Sequence, residues 1–189
     1  MNILSGQFKG HKIEMPPGIR PTQNIVRKSV FDVINPIIES SKFLDLFAGS
    51  GAMGLEATSR GAKEVILVEK EVQCTEFLNN NINKLKIREL VQEGSLYVCQ
   101  MDAFKFIKEA ASKKVTFDII FIDPPYSRGL AKKALKTLGA YDILSPDSIV
   151  IIQHDKAEIL PHQQGRILQF KQRYFGFTCL DYYQLKGKL

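Results

Sequence analysis

The sequence predicts a doubly wound α/β fold. It should hold a mostly parallel, seven-stranded sheet, an antiparallel C-terminal hairpin and an N-terminal extension of a β-hairpin and a helix. Three observations predict it. Short runs such as KFLDLF, EVILVE and FDIIFID are apolar on both faces, as strands of a parallel sheet covered on both sides must be. These runs alternate with segments of helical apolar spacing. The last two apolar runs, RILQFKQRYF and FTCLDYYQLK, are separated by Gly176 alone. That link is too short for a crossover, so they pair antiparallel.

Each element follows from local chemistry. NILSGQFKGHKIEM reads as two half-apolar strands around a Lys-Gly turn, with His11 as a turn residue. MPPGIRPT holds three prolines and a glycine and reads as a loop. Ile25/Val26, Ser29/Val30, Val33/Ile34 and Ile37/Ile38 recur at helical spacing, which predicts a helix over 23–39 that Pro36 either kinks or carries into its last turn. Strands follow at 42–47, 64–69, 96–101, 117–123 and 148–154. Helices are expected over 52–61, 71–85, 103–113 and 128–139, with a further short helix after the last parallel strand.

The composition sets bounds. A chain of 189 residues with 44% hydrophobic and 24% charged residues reads as one globular domain. Here it divides into an extension (1–40) and a core (41–189). No aliphatic run approaches the ~18 residues of a membrane span, and no secretory signal opens the chain. Cys74, Cys99 and Cys179 are scattered without metal-ligand or redox spacing. They read as reduced thiols of a cytoplasmic protein. His154 and His162 have no evident partner and read as structural. The net charge is +6; residues 1–30 carry +4, residues 165–189 carry +4, and the centre is −2. Basic ends around a mildly acidic centre fit either a polyanion held by the ends or plain solubilising charge.

The acids of the centre fall at strand ends. Asp45 lies within the first strand, Glu69 and Asp123 end the second and fourth, and Asp102 directly follows the third. Ligands of open α/β sheets sit at the carboxyl ends of the strands, and buried acids are costly unless paired or solvated. Four in a row therefore mark a site. Gly49-Ser50-Gly51-Ala-Met-Gly54 fits G-x-G-x-x-G between a strand and a helix, and Glu69 lies twenty residues beyond Gly49. The glycines permit a tight turn and close backbone approach, and the acid can accept ribose hydroxyls. Nicotinamide cofactors and S-adenosylmethionine both fit this much. Asp45 tilts the choice: beside the loop it would repel a pyrophosphate and attract an amino-acid ammonium. Asp102 before Ala103 suits either an adenine amine or a helix N-cap.

FDIIFID ends in Asp123-Pro124-Pro125-Tyr126. The prolines lack N–H groups and hold the segment extended. It thus offers carbonyl acceptors, a carboxylate and an aromatic face, a set that can grip a planar group bearing an NH₂. Two acceptors drawing the amine hydrogens out of plane would localise its lone pair, and orientation and electrostatics would do the rest.

DLFAGSGAMGLEA, VEKE, MDA and IDPPY, in this order, resemble the amine-directed, S-adenosylmethionine-dependent nucleic-acid methyltransferases. ILSGQFKGHKI followed by IRPTQNIVRKSVFDVI is similar to the opening of the RsmD family. Asn24 and Lys28 stand where that segment more typically has acids. The resemblance spans nearly the whole chain. It implies a Rossmann-like methyltransferase fold and a guanine-N(2) methyltransferase of small-subunit ribosomal RNA, acting as a monomer on naked RNA or an assembling subunit. It implies that Asp45, Phe47, Gly49, Ser50, Gly51, Gly54, Glu69, Lys70, Asp102 and Ala103 hold the cofactor. Asp123, Pro124, Pro125 and Tyr126 are implied as catalytic, and Lys9, Lys12, Arg20, Thr22, Arg27 and Lys28 as RNA-binding. The competing readings are an adenine-amine DNA methyltransferase, for whose recognition domain the chain leaves little room, and a non-catalytic RNA-binding assembly factor. An NAD-dependent reductase conflicts with Asp45.

Overall fold

The fold is described from a computed structural model for residues 1–18, 22–87, 95–126 and 129–186. The strands are β1 (Lys42–Leu46), β2 (Glu64–Glu69), β3 (Leu96–Gln100), β4 (Phe117–Ile122), β5 (Leu144–Asp155), β6 (Gln163–Gln164), β7 (Ile167–Phe175) and β8 (Thr178–Leu185). The helices are α1 (Asn24–Ile38), α2 (Ala52–Ser59), α3 (Val72–Lys84), α4 (Ala103–Ser112) and α5 (Leu130–Ala140). All eight strands form one sheet in the order β3-β2-β1-β4-β5-β8-β7-β6. The first five of that order are parallel, and β8, β7 and β6 pair antiparallel. The eighth strand, beyond the seven expected, is the two-residue β6 at the edge, too short to show in an apolar pattern.

Strand alternation splits the core in two. Phe43, Ile119, Phe121, Ile151, Leu180 and Tyr182 face α1, α2 and α3. Leu44, Leu46, Ile120, Ile122, Val150 and Ile152 face α4 and α5. The chain winds outward through β2 and β3 on one side of β1, and through β4 and β5 on the other. The crevice beyond the ends of β1 and β4 is therefore the switch point where such sheets bind ligands.

Two sequence expectations change. The N-terminal hairpin reduces to one antiparallel bridge, Asn2↔Lys12, because its apolar residues Ile3, Phe8 and Ile13 are buried in the core rather than paired along strands. Backbone hydrogen bonds weld this segment to α2. Glu56, itself fully buried, accepts from Leu4 N (2.7 Å), and Ser59 Oγ accepts from Phe8 N (2.9 Å). After β5 the chain turns without forming the expected helix.

Arg27 corrects a site expectation. It is fully buried, and its guanidinium donates to the Asn2 carbonyl (2.6 Å) and to Asn24 Oδ1 (2.9 Å). Burial pulls its pKa below the usual arginine value, and the nearby Glu56 carboxylate opposes that shift. A side chain so placed ties the first residues to α1 and does not meet RNA. Arg27→Glu is expected to cost about 3–5 kcal/mol of stability, since it strands a buried negative charge beside Glu56. Arg27→Met should cost about 1–3 kcal/mol, because it leaves the Asn2 carbonyl unpaired. Equilibrium denaturation of both variants checks this; a surface role predicts no change in either.

His154 does have a partner. Its Nδ1 lies 2.9 Å from the Asp155 carbonyl and its Nε2 lies 3.1 Å from Asp181 Oδ2. Two acceptors on one ring call for the imidazolium. Burial alone would lower its pKa; the Asp181 carboxylate and the Asp155 carbonyl outweigh it and hold the value above normal. Asp181 also accepts from Gln169 and Gln172 at 2.7 and 2.6 Å. His154 on β5, Cys179 and Asp181 on β8, and Gln169 and Gln172 on β7 thus form a hydrogen-bonded polar core that joins the three strands.

Candidate active site

A cleft of about 570 Å³ lies at the switch point. Its walls come from the tips of β1, β2, β4 and β5, from the start of β8, and from Met15, Gly18, Thr22, Gln23 and Val26 of the N-terminal segment. The register explains why the polar groups converge. Asp45 pairs with Phe121 and Leu46 with Ile122, and Ile122 pairs with Ile152. Asp45, Asp123 and Gln153 therefore point to the same face, one step apart on neighbouring strands.

The cofactor-side residues are held by backbone contacts. Gly51 has φ +80° and opens α2, a conformation that favours glycine. A Cβ on Gly54 would stand 2.1 Å from Leu67 Cδ2, so only glycine lets α2 lie this close to β2. Asp45 is 2% exposed and accepts from Gly54 N at 3.0 Å. Burial raises its pKa well above the carboxylate range; the Gly54 N–H opposes this, and the Asp123 and Glu69 charges add to it. Glu69 is likewise buried and accepts from Gly49 N (2.9 Å), Lys70 N (2.8 Å) and Glu71 N (2.9 Å). Three of a carboxylate's roughly four acceptor sites are thus engaged. Glu69 fixes the glycine loop, with less capacity for incoming hydroxyls than its position alone suggested. Phe47, between β1 and the loop, has φ +66°, and its ring packs edge-on against Phe104 at 6.0 Å.

The Asp-Pro-Pro-Tyr side is a hydrogen-bonded hub. Asp123 Oδ2 accepts from Gln153 Nε2 (2.9 Å) and Thr22 Oγ1 (3.1 Å). Gln153 Nε2 also reaches the Tyr126 hydroxyl at 3.3 Å, which contacts Thr178 Oγ1 at 3.2 Å. Pro124 is buried, Pro125 exposed, and Asp123 and Tyr126 half-buried. Asp123, Pro125 and Tyr126 thus form an accessible, braced rim over the buried Pro124.

The cleft gathers Asp45, Phe47, Gly49, Ser50, Glu69, Lys70, Asp123, Pro124, Pro125, Tyr126 and Thr22. Gly51 and Gly54 shape the loop from behind. Asp102 and Ala103 do not line the cleft: Asp102 Oδ1 caps α4, accepting from Phe104 N (2.9 Å) and Lys105 N (3.0 Å). Lys9 and Lys12 are exposed, Lys28 pairs with Asp32 at 2.8 Å, and Arg20 lies outside the described residues. Sequence reasoning missed Gln153 and Thr178. Gln153 carried a readable signal, since it sits near the carboxyl end of a buried strand, as the other site residues do. Thr178 arrives only through the antiparallel pairing of β8, which no local pattern announces.

The family model described as "Conserved hypothetical protein 95" matches residues 1–184. The chain is 31% identical to the ribosomal RNA small subunit methyltransferase D of Escherichia coli K12, covering 100% of this chain and 91% of that one. It is 36% identical to the protein of the same name from Buchnera aphidicola of Acyrthosiphon pisum, covering 82% of this chain and 78% of that one. A solved structure of a hypothetical protein from Thermus thermophilus superposes with TM-score 0.84 at 29% identity, covering 98% of this chain and 99% of that one.

Proposed function

The chain belongs to the RsmD family, that of the small-subunit ribosomal RNA methyltransferases D, and from that premise we propose that it methylates the 2-amine of a guanine in small-subunit ribosomal RNA. The methyl donor is S-adenosylmethionine, and the protein works as a cytoplasmic monomer on naked RNA or on a partly assembled subunit. One observation carries the reading: Asp123-Pro124-Pro125-Tyr126 opens onto the same cleft as the glycine loop, Asp45 and Glu69.

The residues present fit the donor. Asp45 is a buried carboxylate whose one hydrogen-bond donor among the described residues is Gly54 N–H. Its raised pKa marks a charge short of a counter-ion, and an amino-acid ammonium would supply one. Bound there, S-adenosylmethionine supplies a methyl group already activated on a sulfonium. The chain's part is then orientation. Asp123 and the carbonyls of the proline pair accept the two amine hydrogens and localise the nitrogen lone pair. Tyr126 offers its ring to the base, a contact worth about 1–3 kcal/mol, which offsets part of the few kcal/mol needed to unstack a nucleotide. Gln153 holds Asp123 and Tyr126 in one geometry. The proton displaced from the amine passes to Asp123 or to water. Lys9 and Lys12, both exposed on the N-terminal segment, suit the RNA backbone, and Thr22 closes the cleft over Asp123.

Incubation with labelled S-adenosylmethionine and small-subunit ribosomal RNA, followed by nucleoside analysis, tests this. The expected product is N(2)-methylguanosine. Label in adenine of DNA, or no transfer to any nucleic acid, would contradict it.

A further inference from the structure

The β7–β8 hairpin exposes an aromatic ring that neither the core nor the cleft uses. Phe177 is 68% exposed and lies in the two-residue connection between Phe175 and Thr178. Because β8 runs antiparallel to β5 and Asp155 pairs with Thr178, this connection sits at the carboxyl rim of the parallel strands. The next residue, Thr178, lines the cleft and contacts the Tyr126 hydroxyl at 3.2 Å. Phe177 is thus one residue outside the wall that holds the Asp-Pro-Pro-Tyr segment.

Lys156 fixes this ring from one side. Its backbone N–H donates to the Phe177 carbonyl at 2.9 Å, and its ammonium stands 4.6 Å over the ring centroid. Lys156 is itself exposed. One face of the phenyl therefore meets a cation, and most of the residue is open to solvent.

We propose that Phe177 and Lys156 form a docking platform for single-stranded RNA next to the target nucleotide. The flanking base stacks on the open side of the ring, and the lysine meets its phosphate. This rests on the reading that the cleft receives a base of ribosomal RNA. Drawing one base out of its stack leaves its neighbour with an unstacked face. A phenyl ring accepts that face whatever the base, and the platform is continuous with the cleft that takes the target. A protein partner or a second copy, which needs roughly 800 Å² of complementary surface on each side, is the alternative that the oligomeric state read below separates.

Steady-state methyl transfer to small-subunit ribosomal RNA by Phe177→Ala, Phe177→Trp and Lys156→Ala tests the platform. Phe177→Ala should raise KM for RNA about tenfold, with kcat, S-adenosylmethionine affinity and melting temperature unchanged. Phe177→Trp should keep the wild-type KM. Lys156→Ala should reduce the slope of log RNA affinity against log salt by about one. A wild-type KM in Phe177→Ala would overturn the platform, as would a changed oligomeric state in place of a changed KM. If the wild-type protein transfers no methyl to RNA, the reading of the cleft fails instead. RNA binding by filter retention then decides the platform separately: weaker retention of Phe177→Ala supports it, and equal retention overturns it.

Discussion

Asp123→Ala is expected to lower kcat about 150-fold while leaving the dissociation constant of S-adenosylmethionine within about threefold of wild type. The size follows from losing one acceptor aligned on the reacting amine, about 3 kcal/mol of transition-state stabilisation. The selectivity follows from position. Asp123 directly follows β4 and accepts from Thr22 and Gln153, whereas the glycine loop is held by Glu69 and Asp45 through Gly49 and Gly54. Asp123→Asn keeps one acceptor oxygen without the charge and should fall between the two. Single-turnover transfer and calorimetric titration of the same preparations separate the effects. Parallel loss of turnover and cofactor affinity would mean that Asp123 serves the donor and not the base.

Asp45→Asn should behave in the opposite way. Asn retains an oxygen for Gly54 N–H and removes a charge that burial disfavours. The free variant should therefore melt at or above the wild-type temperature. Its affinity for S-adenosylmethionine should fall by two to three orders of magnitude, since removing one partner of a buried charge pair costs about 2–5 kcal/mol. The pH dependence has a definite sign. Asp45 is raised in the folded state, so the unfolded chain loses that proton first, and this group's contribution to stability declines as pH rises from the ordinary carboxylate value through the raised one. A bound ammonium favours the ionised form, so wild-type affinity should climb with pH across that interval. Asp45→Asn should lose that part of the climb. Calorimetry at several pH values reads both; an unchanged affinity in Asp45→Asn would place the ammonium elsewhere.

What the sequence made legible was local or periodic. β1, β2, β4 and β5 show as apolar runs because both faces are covered, and α1 shows because its buried residues recur at helical spacing. The glycine loop and the Asp-Pro-Pro-Tyr rim show because backbone freedom and its absence are written in residue type. Contacts between distant segments were not legible. Arg27 follows Val26 on the inner side of α1, yet an arginine in a basic N-terminal stretch reads as exposed. The Asn2 carbonyl, brought in by packing of the first residues, joins Asn24 Oδ1 in accepting from it, with the Glu56 carboxylate nearby. Glu69 read as a ligand for hydroxyls because three neighbouring N–H groups are invisible until the loop closes on it. His154 and Asp181 meet only once β5 pairs with β8.

A crystal structure with S-adenosylhomocysteine tests the central claim most directly, because one cleft must serve donor and acceptor together. The account predicts the amino-acid ammonium beside Asp45 and the sulfur facing the Asp123–Tyr126 rim. A ligand bound elsewhere, or one whose sulfur points away from that rim, would contradict it.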